Sequence, residues 1–206
     1  VGRWFDEGFR KPEEGAPLAE HATAFRLWEK ARAEAIKAKC EGKTGTVEEE
    51  SKPSTQLSPL LFDLTSLQRE ANGRFGFSAR TTLQLAQALY EKHKVLTYPR
   101  TDARALPEDY VGQVPGILGG LPDEYGPFAN EIVKQGWARP NKRIFNNAKI
   151  SDHFAIIPTG TVPKSLSEAE AKIYDLVTRR FLSVFYPAAE YRITTRITRV
   201  EGEAFK

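Results

Sequence analysis

The sequence predicts an α+β chain that is mostly α, with a helical central unit and β-containing flanks. Three observations carry this. Apolar residues recur at helical spacing in three stretches, 17–39, 63–92 and 167–186. The period switches to two between Tyr191 and Thr198. A polar, proline-spaced stretch from Lys52 to Pro59 separates the first helical segment from the second, as an extended connector does.

Taken in order, residues 1–16 are rich in Gly, Pro and charge, with Trp4, Phe5 and Phe9 as anchors, and read as a loop or irregular strand. Pro17 and Glu20 suit a first helical turn, and Lys37, Lys39 and Gly42 suit a last one. Phe25, Trp28, Ala31, Ala35 and Ile36 fall near one face of that helix, a core stripe. Gly45-Thr46-Val47 starts a short strand. Asp63 is an N-cap for a helix over 64–71 closed by Asn72-Gly73, and Ser78 caps a second helix to about Lys92. Val95 to Tyr98 and Ala155 to Ile157 are short apolar runs, the first interrupted by Pro99 and the second closed by Pro158. Leu106 to Asp109 reads as a helix start, and 111–128 as loops around a short helix. Ser167 with Glu170 forms a capping box for a helix that runs to Tyr186-Pro187. Tyr191, Ile193, Thr195 and Ile197 then alternate with Arg192, Thr194, Arg196 and Thr198, an antiparallel strand with one wet face.

Composition narrows the class without naming it. With 206 residues, 40% of them hydrophobic, the chain is long enough for a real core. One cysteine, Cys40, excludes an internal disulfide and a cysteine-rich zinc site and favours a reducing compartment. No apolar run approaches a membrane span and no signal peptide opens the chain, so a cytoplasmic protein is expected. Thirty Lys+Arg against 27 Asp+Glu give +3, which permits nucleic-acid binding without demanding it. The acidic run Glu48-Glu49-Glu50 reads as a solvated charge run, not a metal site, while Lys and Arg recur from 69 to 104. The lack of any methionine, with a strand pattern broken off at Ala204-Phe205-Lys206, leads to the expectation of a piece of a longer protein.

Two segments carry chemistry. Lys94-Val95-Leu96-Thr97-Tyr98-Pro99-Arg100-Thr101-Asp102 resembles the active-site motif of type IA DNA topoisomerases, in which Tyr is followed by one variable residue, Arg, Ser or Thr, and Asp. Proline between Tyr and Arg is most similar to the topoisomerase III branch. Some fifty residues on, Asp152-His153-Phe154-Ala155-Ile156-Ile157-Pro158-Thr159 resembles the family's His-containing motif. Leu61 to Leu64 and Gln87 to Tyr90 are similar to the family's helical approach to that site.

The resemblance implies a role for each residue. Tyr98 would be the nucleophile of a 5′-phosphotyrosyl intermediate; a phenol suits the task because its aryloxide also leaves well when the DNA hydroxyl returns. Arg100, two residues on and so on the same side of an extended segment, would stabilise charge on the phosphoryl oxygens. His153 would hydrogen-bond the phosphate or the Arg–Asp pair, and Asp102 would orient Arg100. Lys94 and Arg104 join Arg100 as DNA-binding candidates. Two departures stand out: Phe154 where many relatives carry a carboxylate or second His, and Ala103 where Ser is common.

The family also implies a frame: part of a β-rich arch domain over 1–58, a helical tyrosine domain over 59–158, and a return into the arch over 159–206. It implies cleavage, passage and resealing of single-stranded or underwound DNA without ATP. Mg²⁺ would be bound by an N-terminal Toprim domain whose acidic cluster this sequence lacks. The chain therefore holds no metal site of its own and is expected to be inactive alone. A rival reading is a non-catalytic DNA-binding module built on the helix-turn-helix-like pair at 63–92.

Overall fold

A computed structural model describes residues 2–12 and 21–206 of the chain. Contacts divide it into two compact units: Val1–Thr55 with Glu190–Lys206, and Gln56–Ala189.

The first unit holds β1 (Trp4–Phe5), α1 (Lys30–Cys40), β2 (Thr46–Gln56), β3 (Ala189–Val200) and β4 (Glu203–Phe205). The strands form one sheet in the order β1-β4-β3-β2. Ser51 meets Thr194 at 2.7 Å and Glu49 meets Arg196 at 2.6 Å, so β2 and β3 run in opposite senses. Glu201, at φ +50°, and Gly202, at φ +81°, turn β3 into β4, which pairs antiparallel with both β3 and β1. The segment where the sequence suggests a strand pattern broken off forms the three-residue β4, which lies inside the sheet.

Three expectations change here. The helix expected over 17–39 spans only 30–40 among the described residues, and 13–20 lie outside them. Asp6 N–H donates to the Ala24 carbonyl at 2.8 Å and Phe25 packs on Phe5 at 5.8 Å, so both residues serve β1 instead of a helix. The supposed core stripe is also largely wet, with Trp28 56% exposed and no residue of α1 buried. β2 extends through Pro53, where a connector was expected; as an edge strand it tolerates a residue that donates no ladder bond.

The second unit contains α2 (Leu64–Phe75), α3 (Ala79–Glu91), the short α4 (Val114–Gly119) and α5 (Gly126–Lys134), and α6 (Glu168–Ser183). Asp63 and Ser78 cap α2 and α3 as the sequence predicts, and the Ser167–Glu170 capping box opens α6. α2 runs on through Gly73 to Gly76, whose φ of +70° makes the left-handed cap. An internal glycine weakens a helix by only about 1 kcal/mol relative to alanine, which packing overrides. Glu108–Gly112, expected to start a helix, forms a 3-10 turn.

Leu67 and Ala71 of α2, Ala86 and Leu89 of α3, and Ile173, Val177 and Phe181 of α6 share a core with Val95, Leu96, Ile156 and Ile157. Residues 159–189, expected to belong with the returning β segment, belong to this unit because α6 packs on α3 and α2. Arginines anchor its entry: Arg180 Nη1 donates to Leu60 O at 2.9 Å, Arg104 Nε to Leu61 O at 3.0 Å, and Arg143 to Ser58 O. Arg180 also pairs with Glu70 and lies 4.1 Å over the Phe62 ring, and burial lowers its pKa.

Candidate active site around Tyr98

α3 ends in a tight reversal. Val95 N–H donates to the Leu89 carbonyl at 2.9 Å, and Lys94 turns the chain through a left-handed φ of +58°, rare for a residue with a side chain. The chain from Leu96 to Ala103, with a bend at Pro99, then lies beside the segment that follows His153.

Two threonines tie these segments together. Thr97 N–H donates to Ile157 O at 3.0 Å. The Thr97 hydroxyl donates to Ala155 O at 3.1 Å and accepts from Ile157 N–H at 2.9 Å. Four residues on, the Thr101 hydroxyl donates to His153 O at 2.8 Å and accepts from Ala103 N–H at 3.0 Å. Leu96 bridges Pro158, and Thr159 N–H donates to Val95 O at 3.0 Å. The two sequence motifs are thus joined by hydrogen bonds.

This stitching sets which side chains face outward. Pro99, Thr101 and Ala103 are buried while Arg100 and Asp102 are exposed and Tyr98 is half-buried. A period of two therefore puts Tyr98, Arg100 and Asp102 on one open face. The Tyr98 ring sits between Tyr90 (centroids 5.4 Å apart, planes at 78°) and His153 (4.3 Å, 46°). Arg100 makes a long contact, 3.5 Å, with Gln87 Oε1. Gln87 and Tyr90 lie three apart on α3, so Arg100 and Tyr98 line the same face of that helix. That face is therefore not a free recognition surface.

The expected orientation of Arg100 by Asp102 is absent among the described residues. Asp102 accepts instead from Ser151 Oγ at 3.2 Å, while Arg100 reaches toward α3. Arg104 is half-buried with Nε committed to the Leu61 carbonyl, which fastens the entry to α2. Lys94 is exposed, with its ammonium 5.6 Å from the Tyr90 ring centroid.

Seven tyrosines compete for the nucleophile's role. Burial pushes the phenols of Tyr110, Tyr125, Tyr174 and Tyr186 up, Tyr174 to about 12. Tyr125 is raised further by its 2.8 Å bond to Asp175. A phenol that holds its proton more tightly is a poorer nucleophile. Of the others, Tyr191 is exposed on β3 in the other unit, and Tyr90 and Tyr98 touch. Only Tyr98 of these has an arginine two residues on and a histidine against its ring.

Two concavities among the described residues lie elsewhere. A cavity of about 550 Å³ lies in the first unit beside Trp4, Ile36 and Val200, and a groove of about 560 Å³ lies in the second beside Phe75, Tyr125 and Tyr174. Neither contains a motif residue. An extended strand of nucleic acid needs an open face more than an enclosed pocket. Sequence reading missed the threonine bridges, because a hydroxyl that joins two segments leaves no trace in local periodicity. It also missed the anchoring role of Arg104.

Comparison with known proteins gives a consistent picture. The family described as DNA topoisomerase matches residues 7–206. DNA topoisomerase 3 of Bacillus cereus is 49% identical over 162 residues, 77% of this chain and 22% of that protein. DNA topoisomerase 3 of Bacillus subtilis is 46% identical over 169 residues, 80% of this chain and 23% of that protein. The chain thus spans less than a quarter of the length of these relatives. Full-length topoisomerase I from Thermotoga maritima shares the fold with a TM-score of 0.59 at 22% identity, over 89% of this chain and 30% of that one.

Proposed function

This chain belongs to the type IA DNA topoisomerase family, similar to its topoisomerase III members, and we propose that it supplies the strand-cleaving tyrosine of such an enzyme. The observation that carries the proposal is the joining of the two motifs by Thr97 and Thr101. It sets Tyr98 against His153 and turns Arg100 to the same open face.

In the reaction proposed, the Tyr98 oxygen attacks a backbone phosphorus of single-stranded or underwound DNA. The Tyr–O–P bond forms as the bond to the 3′-oxygen breaks. The phenolic proton is given up, and the departing 3′-oxygen takes one. Energy stays in the ester, so the 3′-hydroxyl reseals the strand after another has passed, without ATP. Arg100, with no ion-pair partner among the described residues, is disposed to hold two phosphoryl oxygens as charge builds. His153 is exposed beside the Tyr98 ring, a position from which its imidazole would donate to the same phosphate.

Mg²⁺ would act on these steps from outside this chain. No group of three or more His, Cys, Asp or Glu side chains suited to a metal exists among the described residues. We assign the ion to carboxylates of a Toprim domain outside this sequence, and infer that the chain alone does not relax DNA. The chain is proposed to work in the cytoplasm; no described helix is long and apolar enough to cross a membrane.

The test is covalent capture in the full-length protein, using a 3′-labelled single-stranded oligonucleotide and a denaturing gel. Tyr98→Phe should abolish the adduct while leaving noncovalent binding nearly unchanged, since affinity comes mainly from many backbone contacts. An adduct that survives the substitution would assign the nucleophile to another residue.

A further inference from the structure

The threonine bridges fix the main chain beneath Tyr98 but not its ring. Thr97 and Pro99, its chain neighbours, are held by hydrogen bonds and burial, whereas the Tyr98 phenol makes no hydrogen bond to any described residue. Aromatic contact alone is left to define where the phenol oxygen points. Two rings supply it, and they differ in how firmly they are held.

His153 is exposed and its imidazole makes no hydrogen bond to a described residue; only its carbonyl is tied, to Thr101. Tyr90 stands on the last turn of α3, between the fully buried Leu89 and the reversal at Lys94. That end of α3 is anchored from several directions. His93 N–H and Lys92 N–H both donate to the Ala88 carbonyl, and Val95 N–H donates to Leu89. His93 Nε2 lies 3.2 Å from Glu170 Oε1 on α6, both side chains nearly buried. The Lys94 ammonium lies 5.6 Å from the Tyr90 ring centroid, within cation–π range. Tyr90 meets Tyr98 edge to face, the favoured arrangement for two aromatic rings.

Resting on the reading of Tyr98 as nucleophile, we propose that Tyr90 is a positioning residue: its ring is the rigid wall that pre-orients the Tyr98 phenol before DNA arrives. The Tyr90 hydroxyl has no described hydrogen-bond partner, so the ring itself does the positioning. The consequence is kinetic and specific. Without the wall, the free Tyr98 side chain samples more rotamers, and order must be restored before attack. The same order persists in the ester, where DNA tethers the ring. Cleavage rate and equilibrium adduct fraction therefore fall by one factor, about three- to tenfold, the range for immobilising a single side chain. Religation starts from the tethered state and stays unchanged.

The experiment measures cleavage, religation, adduct fraction and noncovalent affinity in the full-length protein with the same labelled oligonucleotide. Tyr90→Leu should lower cleavage rate and adduct fraction together, with religation and affinity within twofold of the unaltered protein. Tyr90→Phe should match the unaltered protein. If Tyr90→Leu does not fold, Tyr90→Gln, a good helix former at this half-exposed site, replaces it. Unchanged cleavage, an equal loss in religation, a loss confined to affinity, or a Phe variant as impaired as Leu would each overturn the proposal. Tyr98→Phe run in parallel separates the two readings. If it still forms adduct, the nucleophile is misassigned; if it does not and Tyr90→Leu behaves normally, only the positioning role fails.

Discussion

Replacing Thr97 by valine keeps the shape of the side chain and deletes one hydroxyl. That hydroxyl serves two backbone groups at once, the Ala155 carbonyl and the Ile157 N–H. Both residues are 0% exposed, so water cannot take over. Each orphaned group costs about 1–3 kcal/mol, and with local relaxation the pair should cost about 2–4 kcal/mol. Against a typical domain stability of about 5–15 kcal/mol this is a large loss. With a urea slope of about 2 kcal/mol/M, the midpoint should fall by about 1–2 M. The assay is urea unfolding of the chain followed by far-UV circular dichroism, which reports chiefly on the helices of the second unit. Thr97→Ser, which restores the hydroxyl, should recover most of the loss. A Thr97→Val midpoint within about 0.3 M of the unaltered chain would refute the argument, leaving the backbone pairing alone to align the two segments.

Arg100→Ala in the full-length protein should slow cleavage far more than it weakens binding, by about 2.7–4 kcal/mol of transition-state stabilisation. Arg100→Lys should recover only part, because an ammonium cannot hold two phosphoryl oxygens in register; equal losses in rate and affinity would make Arg100 a general phosphate anchor. Gly120→Ala should destabilise the second unit by about 3 kcal/mol or more, read as thermal or urea midpoint. A Cβ there would stand 2.0 Å from the Gly160 carbonyl oxygen, and Gly160, at φ +81°, has little freedom to retreat. The Glu170 carboxyl is held below its ordinary value of 4.5, first by Ser167 N–H, then by the Ser167 hydroxyl and His93. A depressed carboxylate stabilises the fold above its unfolded pKa, and that contribution is lost as pH falls through the folded one. Stability should therefore drop on acidification below about 4.5, and Glu170→Gln should be less stable at neutral pH yet lose less between pH 7 and pH 3. An unaltered pH slope in urea midpoints would count against it.

Local signals were legible wherever the physics is local. Asp63, Ser78 and the Ser167–Glu170 box mark three helix starts, because a cap needs only neighbours three residues away. The segment before Lys30 misled, since its apolar spacing fits a helix while Phe25 is taken by Phe5 and Ala24 by Asp6. Arg104 has a second role that the sequence does not show: its Nε is held by a carbonyl forty-three residues earlier.

The sequence by itself determined the family and the pair of motifs to which we assign the chemistry, since the identity and order of Tyr98, Arg100, Asp102 and His153 are written in the chain. Alternation along the Tyr98 segment was also implicit, because residues two apart share a side in any extended stretch. Only the tertiary structure decided which contacts that face makes. Packing of α6 against α3 fixes the end of the helix, two threonine hydroxyls draw the His153 segment alongside, and Tyr90 thereby becomes a wall of the site. It also turned Asp102 to Ser151 and Arg100 to Gln87. These pairings depend on distances between residues far apart in sequence, and those distances exist only once the core has closed.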